Sequence, residues 1–397
     1  MITHIRIDGF KSFLDFELDV PPLLALVGPN SSGKSNFFDA LAFLRGLNLG
    51  KALTESSRGR SPELFHHVSK GSPVENFQVA AESLTHVDAD LLAVTYIGGP
   101  RSKNVTFGDG RFNAVARAGE AFLTLDEGLR HIDHLPADAR RIADLAAESA
   151  ERILGATKID WDLISALVNR PRETWRLYQP DPGRMRAAAD GADLGAVDSD
   201  GRNLAAVLGR LHSTSAFDDL VNDFLALTPD VVGIEPYLDE RRGEWLFDVL
   251  VDGEGRVSSR LLSDGTLRIL GLLAALHDPD HPGVILIEEI ENGLHPSRLA
   301  ELLRRIERKV TDFNSPGWAN QPLRQVIMTT HSPVVVSELY RLRRESLIFL
   351  NTAVRVDPEN DRVSRVTVAK PVRDEGEPGT FVSPRQVRAF LSTVGTV

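Results

Sequence analysis

The stretch Leu26–Leu41, LVGPNSSGKSNFFDAL, constrains this 397-residue chain more than any other. Gly28 to Ser35 fits G-x-x-x-x-G-K-[ST] with no mismatch. The apolar run LLALVG leads into it and reads as a buried strand. SNFFDALAFLRGL follows with helical periodicity, Phe37, Leu41 and Leu44 on one face. Strand, glycine loop and helix is the order a phosphate cradle requires. The backbone of Gly28, Pro29, Asn30, Ser31, Ser32 and Gly33 wraps close to phosphate oxygens, with N–H groups from every residue but the proline, Lys34 reaches the β- and γ-phosphates, and Ser35 ligates Mg²⁺. The plainer alternative is a Gly/Ser turn before a helix, and the flanking strand and helix argue against it.

Composition narrows the chemistry. The chain has no cysteine, so disulfides, thiol nucleophiles and thiolate-held metals are excluded, and metal must be bound through oxygen or imidazole. A net charge of −11 argues against a globally basic nucleic-acid binder while leaving room for a local basic groove. No apolar run reaches membrane-spanning length and the N-terminus does not read as a secretion signal, so the expectation is a cytoplasmic protein with no membrane partner.

Three further motifs carry carboxylates, a helix start and a histidine. VILIEEIENGLHP ends an apolar strand in two acids: Glu288 to hold Mg²⁺ directly or through water, Glu289 to polarise an attacking water. Taken alone, such a pair is also what a strand end meeting solvent looks like. LLSDGTLRILGLL places Ser263 and Gly265 at the start of an apolar helix, where an N-cap serine and a turn glycine are the simple reading. VIMTTHSPVV ends another buried strand at His331, which sits to contact a γ-phosphate and the catalytic water, or serves structure alone.

Elsewhere the pattern is coarser. About 75–125 shows short β-like runs broken by Gly-Gly-Pro and Gly-Asp-Gly, as in an antiparallel sheet. About 138–167 reads as helical, and DPGRMRAAADGADLGAVDSDGRN as a mobile loop. EWLFDVLVDGEGRVSSRLL reads as a hairpin, PSRLAELLRRIERKV as an amphipathic helix. The second half alternates buried strands with helices, which predicts an α/β core.

Together these motifs resemble the ATPase heads of the ABC superfamily, in the RecF, structural-maintenance-of-chromosomes and OLD-type branch. ITHIRIDGFKSFLDFEL with GPNSSGKSNFFDAL looks like the N-terminal lobe of that branch, LSDGTLRILGLLAAL like its signature helix, ILIEEIENGLHP like its acidic strand and D-loop, and MTTHSP like its switch histidine. The resemblance implies an α/β P-loop NTPase fold, an ABC-ATPase-like head with an antiparallel β subdomain and a helical insertion. It places an N-terminal ATPase lobe over 1–125, the insertion over 126–215, a C-terminal lobe over 216–345 and closing strands with a helix over 346–397.

It further implies ATP and Mg²⁺ as ligands, Lys34 and Ser35 at phosphates and metal, Glu288 on the metal, Glu289 as general base and His331 as γ-phosphate sensor. Ser263 and Gly265 would act on ATP held by a second copy, so a homodimer forms on ATP. Asn36, Lys11 and Ser12 are expected near the nucleotide, and Gln78 is the expected Q-loop residue at the metal. Three departures stand out: Glu288 where Asp is usual, a long span between Lys34 and Glu288 without long heptads, and too short a tail after His331 for a Toprim nuclease domain. The functions that follow are an ATPase acting on DNA in repair or in defence against foreign DNA, or a nucleotide-gated module controlling a separately encoded effector protein. A transporter's ATP-binding subunit fits the long insertion poorly.

Overall fold

The computed structural model describes residues 1–46, 61–71, 74, 76–87, 90–98, 103–107, 113–117, 120–124, 174–281, 283–359 and 361–394. The helix expected over about 138–167 lies outside them.

A seven-stranded sheet carries the phosphate loop. Its order is β10 (Trp175–Tyr178), β15 (Gly283–Ile287), β16 (Arg324–Thr330), β3 (Leu23–Val27), β17 (Leu347–Asp357), β18 (Arg362–Pro371) and β4 (Val68–Lys70). The first five are parallel, and β18 and β4 extend the sheet antiparallel. β3 is buried at all five positions. Its residues split by the two-residue period of a strand: Leu23, Ala25 and Val27 face one core, Leu24 and Leu26 the other.

The Leu24 side is closed by helix α1 (Lys34–Gly46) and by a second seven-stranded sheet, antiparallel throughout. That sheet runs β2 (Phe16–Asp19), β1 (Ile2–Asp8), β5 (Gln78–Val87), β6 (Asp90–Gly98), β7 (Lys103–Phe107), β8 (Asn113–Arg117) and β9 (Glu120–Thr124). Phe37, Leu41 and Leu44 of α1 are buried here with Phe10, Phe13 and the isoleucines of β1, as the helical spacing predicts.

The Leu23 side is closed by helices α3 (Leu204–Leu211), α4 (Ser215–Leu227), α5 (Asp264–His277), α6 (Pro296–Lys309) and α7 (Pro333–Leu342). Proline at the first turn of α6 and α7, where no donor is lost, starts both helices, and His295 and Ser332 cap them. A small sheet of β11 (Ala189–Asp190), β13 (Glu244–Val251) and β12 (Val231–Asp239), with β14 (Gly255–Ser258) on β13, packs on α3 and α4. The hairpin expected at EWLFDVLVDGEGRVSS is β13 and β14.

The stretch expected to be a mobile loop is instead built into this lobe. It holds the short helix α2 (Pro182–Met185), capped by Asp181, and strand β11. Asn203 gathers it: Oδ1 accepts from Asp198 N at 2.8 Å, and Nδ2 donates to Ala196 O at 2.8 Å and to Asp193 at 3.2 Å. Asp and Asn side chains here satisfy main-chain groups that a solvated loop leaves to water. No helix among the described residues is long and apolar enough to cross a membrane.

Candidate nucleotide site

Parallel strands end on one edge, and four of them end here in polar residues. β3 runs into Gly28, β15 into Glu288 and Glu289, β16 into His331 and β10 into Gln179. The carboxyl edge of a parallel sheet is where such folds bind ligands, because helix N-termini and loops converge there.

The phosphate loop turns on two left-handed residues, Ser31 at φ +66° and Gly33 at φ +101°. A Cβ on Gly33 would lie 2.2 Å from Thr367 Oγ1, so both conformation and space require glycine. Lys34 Nζ donates to the carbonyl oxygens of Gly28 at 2.5 Å and Pro29 at 3.0 Å. Burial pushes its ammonium below the ordinary value, and Glu289 and Glu291 pull against that shift. Ser32 Oγ is buried with no partner among the described residues, an orphan that a phosphate oxygen would satisfy. Ser35 is exposed at the first turn of α1.

A chain of side chains props the loop from behind. Asn36 Nδ2 donates to Ser12 Oγ at 2.8 Å, and Thr367 Oγ1 lies 2.7 Å from Ser12 Oγ and 3.0 Å from Ser32 O. The Thr367 N–H also donates to Ser12 O at 2.8 Å. Lys11, left-handed at φ +48°, pairs with Asp39 of α1 at 2.6 Å. The turn between β1 and β2 thus adjoins the phosphate loop, with Ser12 and Asn36 in direct contact. Thr367 has no signal in the local sequence; its place follows from β18 returning antiparallel beside β17.

Across the edge, Gln179 Nε2 donates to Glu288 Oε2. Oxygen donors at Ser35 and Glu288 fit a hard divalent cation such as Mg²⁺. Glu289 sits at φ +47°, an uncommon conformation for a side chain other than glycine. Its N–H donates to Thr329 Oγ1 at 2.9 Å, and its Oε2 accepts from Asn292 Nδ2 at 2.7 Å. The strained turn is therefore fixed at both its main chain and its carboxylate.

Gln78 is placed otherwise than expected. It is exposed on β5, opposite Asp8 in the antiparallel sheet, and the glutamine that reaches Glu288 is Gln179. The one available signal was position: Gln179 immediately follows a strand, WRLY, whose parallel neighbour is the acidic strand.

Ser263 caps α5, accepting from Thr266 N at 3.2 Å, and its Oγ lies 2.8 Å from Thr266 Oγ1. A Cβ on Gly265 would meet Gly293 O at 2.5 Å, so the helix start rests on the loop that follows the acids. Arg186 clamps this start, donating to Leu262 O at 2.8 Å and Asp264 Oδ1 at 2.6 Å. Among the described residues, the hydrogen bonds of Ser263 and of the phosphate loop share no residue.

A phosphate loop, strand-end acids and a strand-end histidine on one parallel sheet, with an antiparallel sheet beside it, define a P-loop ATPase head of the ABC and SMC type. The chain belongs to the family described as AAA domain, putative AbiEii toxin, Type IV TA system, whose model matches residues 23–82 and 126–337. It is 48% identical over 53 residues to the chromosome partition protein Smc of Methanocaldococcus jannaschii, covering 13% of this chain and 4% of that protein. The Aquifex aeolicus Smc matches at 44% over 55 residues, 13% of this chain and 5% of that protein. The matched segment is thus a small fraction of those relatives' length. A crystal structure of an Smc head bound to the C-winged helix domain of ScpA superposes over 93% of this chain and 98% of that one, with TM-score 0.50 and 15% identity, a likeness of fold.

Proposed function

We propose that this chain binds and hydrolyses ATP with Mg²⁺ as one half of a two-fold dimer, each nucleotide lying between one copy's phosphate loop and the other's Ser263 and Gly265. Lys34 holds the phosphates, Ser35 and Glu288 the metal, Gln179 orients Glu288, Glu289 accepts the proton of the attacking water, and His331 senses the γ-phosphate. The observation that carries this reading is the convergence of the Lys34 loop, Glu288, Glu289 and His331 on the ends of three neighbouring parallel strands, β3, β16 and β15. The hydrogen-bond separation of Ser263 from its own phosphate loop supports action on a second copy, where a helix N-terminus and a hydroxyl stabilise phosphate charge.

The cellular role we infer is defence against foreign DNA ahead of repair, supported by membership of a family described as a putative toxin of a toxin–antitoxin system. The second reading, a nucleotide-gated module for a separately encoded effector, is favoured by the net charge of −11, which opposes a direct grip on DNA. One experiment tests both: ATP turnover with and without DNA, alongside solution mass with and without MgATP. Turnover with an ATP-induced doubling of mass is expected. Absence of both turnover and nucleotide binding sinks the ATPase reading, and DNA stimulation separates the first role from the second.

A further inference from the structure

The ATPase reading leaves one carboxylate at the site without a task. Glu291, two residues beyond Glu289, has a side chain only 12% exposed. Its Oε1 accepts the main-chain N–H of His331 at 2.8 Å and lies 3.2 Å from His331 Nδ1. Its Oε2 is buried with no partner among the described residues. Its charge reaches Lys34, whose ammonium it stabilises together with Glu289.

The His331 side chain, by contrast, is 53% exposed. Packing alone does not hold an imidazole that open, and an unheld ring spreads over several rotamers. A carboxylate on Nδ1 selects one ring orientation and keeps the proton of the neutral ring on Nδ1, which leaves Nε2 directed away from the carboxylate. The same oxygen fixes the main chain at the end of β16, so backbone and ring are set by one group.

We propose that Glu291 is a positioning residue for His331, holding its N–H and its Nδ1 so that Nε2 is presented to the γ-phosphate. The proposal rests on the ATPase reading, which gives His331 its task, and it adds the group through which that task depends on the loop after the acids. Glu289 is held by a different side chain, Asn292, whose Nδ2 donates to its Oε2 at 2.7 Å.

The test is a double-mutant cycle with Glu291→Ala, Glu291→Gln and His331→Ala, reading kcat and KM for MgATP and the melting temperature. Glu291→Ala is expected to lower kcat about 10- to 100-fold, the scale of a misplaced group, with KM within about twofold. Glu291→Gln, whose amide oxygen still accepts both bonds, recovers most of that loss. In the His331→Ala background Glu291→Ala has no further effect. An equal loss in both backgrounds, or no loss in the parental one, overturns the proposal.

If the parental protein neither binds nor hydrolyses ATP, the ATPase reading fails by itself, and with no turnover to read the contact is judged by ¹H–¹⁵N NMR of the histidine ring. The proton of neutral His331 then sits on Nδ1 in the parental protein and shifts toward Nε2 in Glu291→Ala. An unchanged tautomer distribution overturns the contact independently of hydrolysis.

Discussion

The hydroxyl of Thr367 donates to the carbonyl oxygen of Ser32 at 3.0 Å, across 335 residues of sequence. Thr367 is 2% exposed, and its Oγ1 also meets Ser12, so the phosphate loop is held in shape by a strand near the far end of the chain. Thr367→Val keeps the volume and leaves Ser32 O and Ser12 short of a partner, a cost of about 1–3 kcal/mol for a buried group. ATP affinity measured by calorimetry should fall about tenfold or more, and Thr367→Ser should retain most of it. Equal affinity in the valine variant would remove Thr367 from the cradle.

In the proposed mechanism Glu289→Gln removes the water-polarising base and leaves the phosphate loop intact. Turnover is expected to drop about 100-fold or more, with ATP retained and a dimer accumulating in size-exclusion runs with MgATP. A variant with the parental rate would show that Glu289 is not the base.

Ser263→Arg tests the share of the site proposed for a second copy. Ser263 is exposed and, among the described residues, shares no hydrogen-bonded residue with its own phosphate loop, so ATP binding by the monomer should be unchanged while ATP-induced dimerisation is lost. Dimerisation surviving the substitution argues against the two-fold arrangement.

His277 ends α5 buried, its Nε2 2.9 Å from Asp223. Burial pushes its imidazole below the ordinary 6.5, aided by Lys309 and opposed by Asp223. The folded state therefore holds the ring neutral while the unfolded chain protonates at about its ordinary value, so protons favour unfolding. Its contribution to stability is complete above about pH 6.5 and is lost as pH falls from there through the depressed folded-state value. Melting temperature should fall between about pH 7.5 and 5.5, and fall less steeply in His277→Gln; parallel curves would contradict this.

Asp278, 1% exposed on its side chain, receives Arg210 on both carboxylate oxygens at 2.5 and 3.2 Å, and its carbonyl receives Arg324 at 2.6 Å. Asp278→Ala leaves Arg210 with the exposed Asp280 and the Gly195 carbonyl at 3.4 Å, and should cost about 3 kcal/mol in urea unfolding, as breaking a buried pair does. A midpoint unchanged from the parental protein would mean that Asp280 compensates.

What the sequence discloses and what it hides divide along physical lines. The phosphate loop, the acids after β15 and His331 after β16 are legible because each motif lies within one strand and its following turn. The runs LLALVG, GVILIEEI and RQVIMTTH read as buried strands, since burial on both faces removes alternation, and in the fold they pair parallel to one another. Gln78 misled because a glutamine in an edge of β pattern carries no record of its neighbours; Gln179 stands beside Glu288 only because β10 pairs with β15, a pairing of strands more than a hundred residues apart in the chain. The stretch 181–203 has the composition of a loop, and its fixed path comes from long-range bonds, among them those of Asn203 and Arg186 and the pairing of β11 with β13. Thr367 is invisible for the same reason as Gln179.

The neighbours of β3 in its sheet are β16 and β17, and its loop is braced from β18. During synthesis the GPNSSGKS segment leaves the ribosome well ahead of β16 and β17, the strands that flank β3, and of the threonine that braces its loop. Domains dominated by such distant pairings fold late and slowly. A nascent chain thus carries the GPNSSGKS motif long before it carries the strands that hold that loop in shape.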